Sequence, residues 1–273
     1  MTVQSGTREH GRLQEKRRSK KRSPIARTLV PAMGFVLFVA LWEAVVRAFA
    51  VPVYLVPAPS EVFTAFVDNW ELIYSNTGQT AQEAFLGFAI GNAAAIALAV
   101  VFVMSPFLER LTFPIVVGLR TVPIIAIAPI LIIIFGNDAT PKIVIAALIS
   151  FFPTLVNAIV GFKNVDPKML ELMAILSARP WETFLRVRVF SALPFIFSAL
   201  KIATGNCVLG AVVGEWIGAD RGLGYLIIQS TFDFNTTLLY ATMLVVSILA
   251  IIAFGLVAVA EKLIVRWEQE PAR

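Results

Sequence analysis

The chain has 273 residues, 58% of them hydrophobic and only 15% charged, with a mean hydropathy of +0.80. A soluble chain of this size carries charge on roughly a quarter of its residues, so the composition excludes an ordinary soluble domain and indicates a membrane protein. One cysteine excludes an intramolecular disulfide framework and a cysteine-rich metal site, and the single histidine, His10, leaves histidine-based catalysis without a plausible site.

The formal net charge of +5 is unevenly spread. Residues 1–27 hold nine Lys/Arg and two Glu, a local charge of +7, so the remainder is near −2. This stretch includes K-R-R-S-K-K-R at 16–22 and reads as a solvated, disordered tail. Nucleic-acid binding is the rival reading, but no aromatic residues interleave the run and no folded reader follows it. Ala48-Phe49-Ala50 resembles a signal-peptide cleavage site. The apolar stretch before it is longer than the usual 7–15 residues and contains Glu43 and Arg47, so an uncleaved first span is expected. Arg47 stands at i+4 from Glu43, where the two can neutralise each other.

Six spans are expected, over Thr28–Ala50, Ala81–Met104, Leu111–Phe135, Lys142–Phe162, Leu193–Val213 and Leu238–Ile264. Each has the roughly 20 residues needed to cross the hydrocarbon core. The fold class is therefore all-α, a polytopic membrane protein of about six transmembrane helices. Between the first two spans, Pro57 and Pro59 stiffen the entry to an amphipathic stretch, Val62–Tyr74, which Ser60 can cap. In the third span Arg120 lies about nine residues in, roughly 14 Å deep, followed by Pro123 and Pro129. It reads either as a cation snorkelling from a kinked packing helix or as a residue lining a pathway.

The longest charged interruption is Asp166–Pro194. Asp166 can cap a helix opening at Pro167, and Met169, Leu172, Met173 and Leu176 then share one face. A break at Ser177-Ala178-Arg179 precedes a second short helix from Pro180, with Trp181, Phe184 and Leu185 on its apolar side. Two such helices could lie in the lipid headgroups or dock on a partner. In the fifth span Lys201 can snorkel, while Asn206 near mid-membrane needs a helix neighbour or a cavity. Glu215-Trp216 lie near its outer end. The glycines of I-G-A-D-R-G-L-G-Y-L-I then suggest a tight external re-entry rather than a phosphate loop.

Six spans place both termini on one side, and the positive-inside rule says which. The tail, Arg110, Lys163, Lys168, Arg179, Arg186, Arg188, Lys262 and Arg266 fall on one face. The other offers Lys142 and Arg221 beside Glu61, Asp68, Glu71, Asp138, Asp220 and Asp233. The expected topology puts the termini and the 166–190 loop in the cytoplasm.

Several of these stretches resemble one family. E-L-M-x-x-x-S-A-x-x-W-x-x-F followed by A-L-P is similar to the EAA loop of binding-protein-dependent ABC importer permeases. Ser177 stands where that family usually has Gly, and Val189-Phe190 where it usually has Leu-Pro. L-W-E at 41–43, L-V-P-A-P-S-E-V at 55–62, L-R-T-V-P-I-I-A-I-A-P around Arg120 and V-V-G-E-W-I-G-A-D-R-G-L-G-Y-L-I resemble its nitrate/sulfonate/taurine group. The last run resembles the subgroup tied to pyrimidine precursors. The likeness runs from about Trp42 to Trp267.

The resemblance implies a type I ABC importer transmembrane domain over 77–265, preceded by a first helix and external segment at 28–76 and followed by a cytoplasmic tail at 266–273. It implies a coupling loop carried by Glu171, Ala174, Ser177, Ala178, Trp181 and Phe184, and a translocation path touched by Arg120, Pro123, Asn206 and Glu215. Implied partners are two copies of an ABC ATPase subunit, an external substrate-binding protein, a second permease copy in a homodimer and membrane lipid, with no nucleic acid. No cofactor, metal or catalytic residue is expected. No G-x-x-x-x-G-K-[ST] motif occurs, so ATP would be hydrolysed on a partner chain. An intramembrane enzyme would want a convergent catalytic pair, and the spans contain no Asp and no His. A passive channel is the remaining alternative, marked by uptake independent of ATP.

Overall fold

The structure is a computed structural model that describes residues 24–265; the basic run 16–22, His10, Arg266 and the 266–273 tail lie outside the described residues. It divides into two units, Met1–Glu61 and Val62–Arg273.

In the first unit, α1 (Pro24–Ala48) is a continuous helix of 25 residues. At about 1.5 Å per residue it is long enough to cross a bilayer. Near its end Glu43 accepts from Arg47 Nε at 2.5 Å, the i+4 pair expected from the sequence. The same carboxylate accepts from the Ser60 hydroxyl at 2.9 Å and the Ser60 N–H at 3.0 Å. Ser60 is therefore not the cap of α2 (Pro59–Asp68). The helix starts one residue earlier, at Pro59, and Ser60 lies in its first turn. Glu43 takes an orphan N–H there in its place. Glu61 reaches back to the Ala58 N–H at 2.8 Å, half of a capping box.

In the second unit, α3 runs unbroken from Trp70 to Met104. It begins eleven residues before the expected span, because nothing between Tyr74 and Thr80 breaks a helix. The polar residues there bond back along their own helix: Asn76 donates to the Leu72 carbonyl and Thr77 to that of Ile73. The expected third span is two helices, α4 (Pro106–Arg120) and α5 (Ile124–Phe135), bent by 96° at Thr121-Val122-Pro123. Then come α6 (Ala139–Lys163) and α7 (Pro167–Ile175). The short α8 (Pro180–Thr183) passes through one π turn at 184–188 into α9 (Val189–Gly218). The chain closes with α10 (Leu223–Phe232) and α11 (Thr236–Ile264). The four helical stretches Trp70–Met104, Ala139–Lys163, Pro180–Gly218 and Thr236–Ile264 are long and apolar enough to span a bilayer, and the bent pair makes a fifth.

The centre of this unit is α6, with α3 and α9 packed on it. Glycines allow the close approach. A Cβ on Gly91 of α3 would stand 2.5 Å from the Ala147 carbonyl oxygen, and one on Gly210 of α9 would stand 2.7 Å from the Ala146 Cα. Small residues at such crossings let backbones meet where lipid supplies no hydrophobic drive between helices. Thr154 donates to Asn92 Oδ1 at 2.5 Å across the buried α3–α6 contact. One core cluster gathers Phe102, Leu155, Phe162, Phe184, Ala192 and Ile196, and a second gathers Ile73, Leu223, Leu226 and Leu238. Lys201, which could have snorkelled, instead pairs with Glu261 of α11 at 2.7 Å.

Candidate functional site

The 166–188 loop is built as its sequence suggests. The Asp166 side chain accepts from the Lys168 N–H at 3.0 Å, with Pro167 as first helical residue. At the other end of α7, the Ala178 N–H donates to the Met173 carbonyl and the Ser177 N–H to that of Ala174. This is the Schellman pair of bonds, and Ser177 occupies its left-handed position at φ = 50°. The familial Gly at this place thus has a physical reason, since glycine adopts that conformation without a Cβ clash. Glu182 accepts from the Arg179 N–H at 2.8 Å and fixes the start of α8.

The loop divides into anchors and exposed groups. Met173 and Phe184 are buried, and Phe184 packs at 5.1 Å on Phe162 of α6. Arg188 donates to the Phe162 carbonyl at 3.1 Å. Of the six residues read as coupling residues, Glu171, Ala174, Ser177 and Trp181 are exposed and Ala178 is half-buried. Phe184 is only 3% exposed, so it holds the loop to the helical body and offers no surface of its own. Trp181 stacks over it at 5.6 Å and remains 53% exposed. Ile175, at 80%, is an exposed apolar group that the one-face helical pattern had passed over.

The residues read as path-lining are not brought together. Arg120 ends α4 at the 96° bend, exposed, with its guanidinium carbon 4.6 Å from the Phe152 ring centroid. Pro123 caps α5 from extended backbone at ψ = 120°. Asn206 is half-buried in mid-α9, and its amide has no hydrogen-bond partner among the described residues. Glu215 requires a correction: it is 1% exposed and lies inside the helical body, not on an open path.

Glu215 belongs instead to a buried polar clamp at the end of the unit away from the 166–188 loop. Gly222 has φ = 114°, and a Cβ there would run into the Glu215 carboxylate. Three successive N–H groups at the start of α10 find side-chain acceptors. Gly222 donates to Asn76 Oδ1 at 2.7 Å, Leu223 to Thr80 Oγ1 at 2.8 Å, and Gly224 to Glu215 Oε2 at 2.5 Å. Thr80 in turn donates to Glu215 Oε1 at 2.7 Å. The glycines therefore form an anion-accepting helix start, and the anion is the protein's own Glu215. Glu83 of α3, accepting from Gln79 at 2.7 Å, and Lys142 of α6 complete the buried set. The sequence placed Lys142 in a charged external loop, and it is in fact 3% exposed. The signal that could have found the clamp is the polar run Asn76-Thr77-Gly78-Gln79-Thr80 continuing into an apolar helix that also carries Glu83.

Comparison with known proteins places this architecture. Residues 70–266 match the family described as binding-protein-dependent transport system inner membrane component. The formylaminopyrimidine transport permease protein ThiX of Halalkalibacterium halodurans is 30% identical, over 89% of this chain and 97% of its own. The riboflavin transport system permease protein RibX of Chloroflexus aurantiacus is 29% identical, over 87% and 91%. The putative aliphatic sulfonates transport permease protein SsuC of Bacillus subtilis is 27% identical, over 88% and 86%. Among solved structures, an inward-facing conformation of the MetNI methionine ABC transporter shares the fold with a TM-score of 0.56 at 22% identity, over 72% of this chain and 94% of that one. The chain belongs to the family of binding-protein-dependent transport system inner membrane components and is the permease subunit of an ABC importer.

Proposed function

We propose that two identical copies of this chain form the path for a small heterocyclic vitamin or vitamin precursor, with sulfonates as the second candidate class. The names of the relatives support the ligand class: a formylaminopyrimidine and riboflavin are both nitrogen heterocycles, and the third relative is named for aliphatic sulfonates. Both termini and the 166–188 loop face the cytoplasm, as the Lys/Arg asymmetry requires. The loop docks on an ATPase subunit and a binding protein delivers the ligand to the opposite end. Hydrolysis takes place on the ATPase, and this chain carries no catalytic residue. Closure of the ATPase pair moves the two loops and switches the path between inward-open and outward-open.

The observation that carries this reading is the build of the loop. Leu172, Ile175, Leu176 and Trp181 stand exposed on short helices, while Met173 is buried and Phe184 fastens the second helix to α6 and α9 through Phe162, Ala192 and Ile196. A rigidly anchored apolar surface transmits a push; helices resting in headgroups need no such anchor. Arg120 beside the helix break and the unpaired Asn206 amide are the groups of this chain assigned to the path. The test is uptake into proteoliposomes holding the complete complex, with binding protein outside and ATP inside. Uptake of a pyrimidine or flavin that needs both ATP and the binding protein is expected. Uptake that continues without ATP would identify a passive channel and contradict the proposal.

A further inference from the structure

At the end of the second unit that carries the 166–188 loop, α3, α4 and the last residue of α6 wall a cavity of about 400 Å³. Val103 is one residue from the end of α3, and Lys163 is the last of α6. The cavity therefore lies where two helices of spanning length end, at headgroup depth. Its wall has two characters. Val103, Phe113 and the rings of Pro106 and Pro114 are apolar, and Val103 and Phe113 pack against the first core cluster. Glu109, Arg110 and Lys163 are charged. Lys163 Nζ donates to both oxygens of Glu109, at 2.6 and 2.7 Å, and so joins the start of α4 to the end of α6. An ammonium has three N–H bonds to give, so one remains. Arg110 is exposed, and its guanidinium has no hydrogen bond or ion pair among the described residues. Two cations against one carboxylate leave the wall a net charge of +1. Pro114 adds an acceptor: having no N–H, it leaves the Arg110 carbonyl without its usual donor one turn on.

We propose that this cavity binds a membrane phospholipid of single negative charge, its phosphodiester on Arg110 and the spare Lys163 donor, and the start of an acyl chain against Val103 and Phe113. Basic pockets between spanning helices take anionic headgroups in this way. Charge selects among lipids, since +1 matches one phosphodiester, whereas the ammonium of a zwitterionic headgroup meets the Arg110 guanidinium. The apolar half of the wall selects a lipid over a free phosphate, which has nothing to bury there. The unpaired Arg110 carbonyl accepts from a headgroup hydroxyl, which a glycerol headgroup supplies. The bound lipid ties α4, whose far end carries Arg120 at the bend, to α6, which runs on into the loop.

The test uses the full chain assembled with its ATPase, reconstituted with phosphatidylglycerol and phosphatidylcholine and returned to mild detergent. Native mass spectrometry is expected to find phosphatidylglycerol retained in preference to phosphatidylcholine. Arg110→Gln is expected to lower that retention at least about fivefold, the worth of one cation at an anionic surface. Lys262→Gln removes an exposed cation from the last turn of α11, outside the cavity, and is expected to leave retention unchanged. In nanodiscs, hydrogen exchange of the 107–113 amides should be slower with phosphatidylglycerol than with phosphatidylcholine alone, in the wild type but not in Arg110→Gln. Wild-type retention by Arg110→Gln would overturn the proposal. So would an equal loss in Lys262→Gln, which would mean diffuse surface charge, or exchange at 107–113 indifferent to the lipid. Displacement of the lipid by inorganic phosphate would mark a free-anion site and contradict the lipid.

Discussion

Ser177 closes α7 at φ = 50° in a position where the family usually carries glycine. A Cβ in the left-handed region costs roughly 1–2 kcal/mol, while glycine gives part of that back through its larger unfolded-state freedom. Ser177→Gly is therefore expected to steady the loop by up to about 1 kcal/mol, read as slower hydrogen exchange of the 174–182 amides. Exchange that quickens would show that the hydroxyl, not the backbone, sets this turn. Gly222 makes the opposite case. Its φ of 114° and the carboxylate against it leave no room for a side chain, so Gly222→Ala should lower thermal stability by at least about 2 kcal/mol. An unchanged melting temperature would contradict the clamp geometry. At this scale the sequence revealed positions more readily than partners. Asp166 as a cap and Glu43 with Arg47 follow from spacing alone. Thr80 and Glu215, 135 positions apart in the chain, meet only through the packing of α3 on α9, and no local pattern records that.

Helix boundaries were legible wherever apolar length decided them, and less so where a breaker or a polar run did. The ends of α6 and α11 fall within about four residues of the expected spans, because charge and turn residues bound them on both sides. The α4–α5 break escaped a count of apolar residues, since both halves are apolar and only Pro123 marks the bend. The early start of α3 escaped because polar residues on a helix resemble a loop until their partners are seen. The break also sets a prediction. Arg120, held over Phe152 at the bend, and Asn206, without a partner among the described residues, are expected to face the path. Arg120→Ala and Asn206→Ala should each lower the rate of ligand uptake while leaving ATPase co-purification intact. Normal uptake by both would remove them from the path.

For the molecule as a whole, topology and coupling are one question, because an ATPase can reach the 166–188 loop only from the cytoplasm. With Cys207 replaced, a membrane-impermeant thiol reagent added outside is expected to modify Ser75→Cys on α3 and to spare Ser177→Cys. Outside labelling at Ser177→Cys would invert the topology. The apolar face around Trp181 then carries the central claim. Truncating an aromatic anchor in a buried interface costs on the order of 2–4 kcal/mol of binding, a loss large enough to uncouple hydrolysis from ligand delivery. The most direct measurement is ATP hydrolysis by the reconstituted complex, with and without loaded binding protein, for wild type and Trp181→Ala. Loss of the stimulated rate together with weakened ATPase retention is the predicted result. Wild-type stimulation and retention in Trp181→Ala would contradict it and leave the loop as a pair of helices resting on lipid.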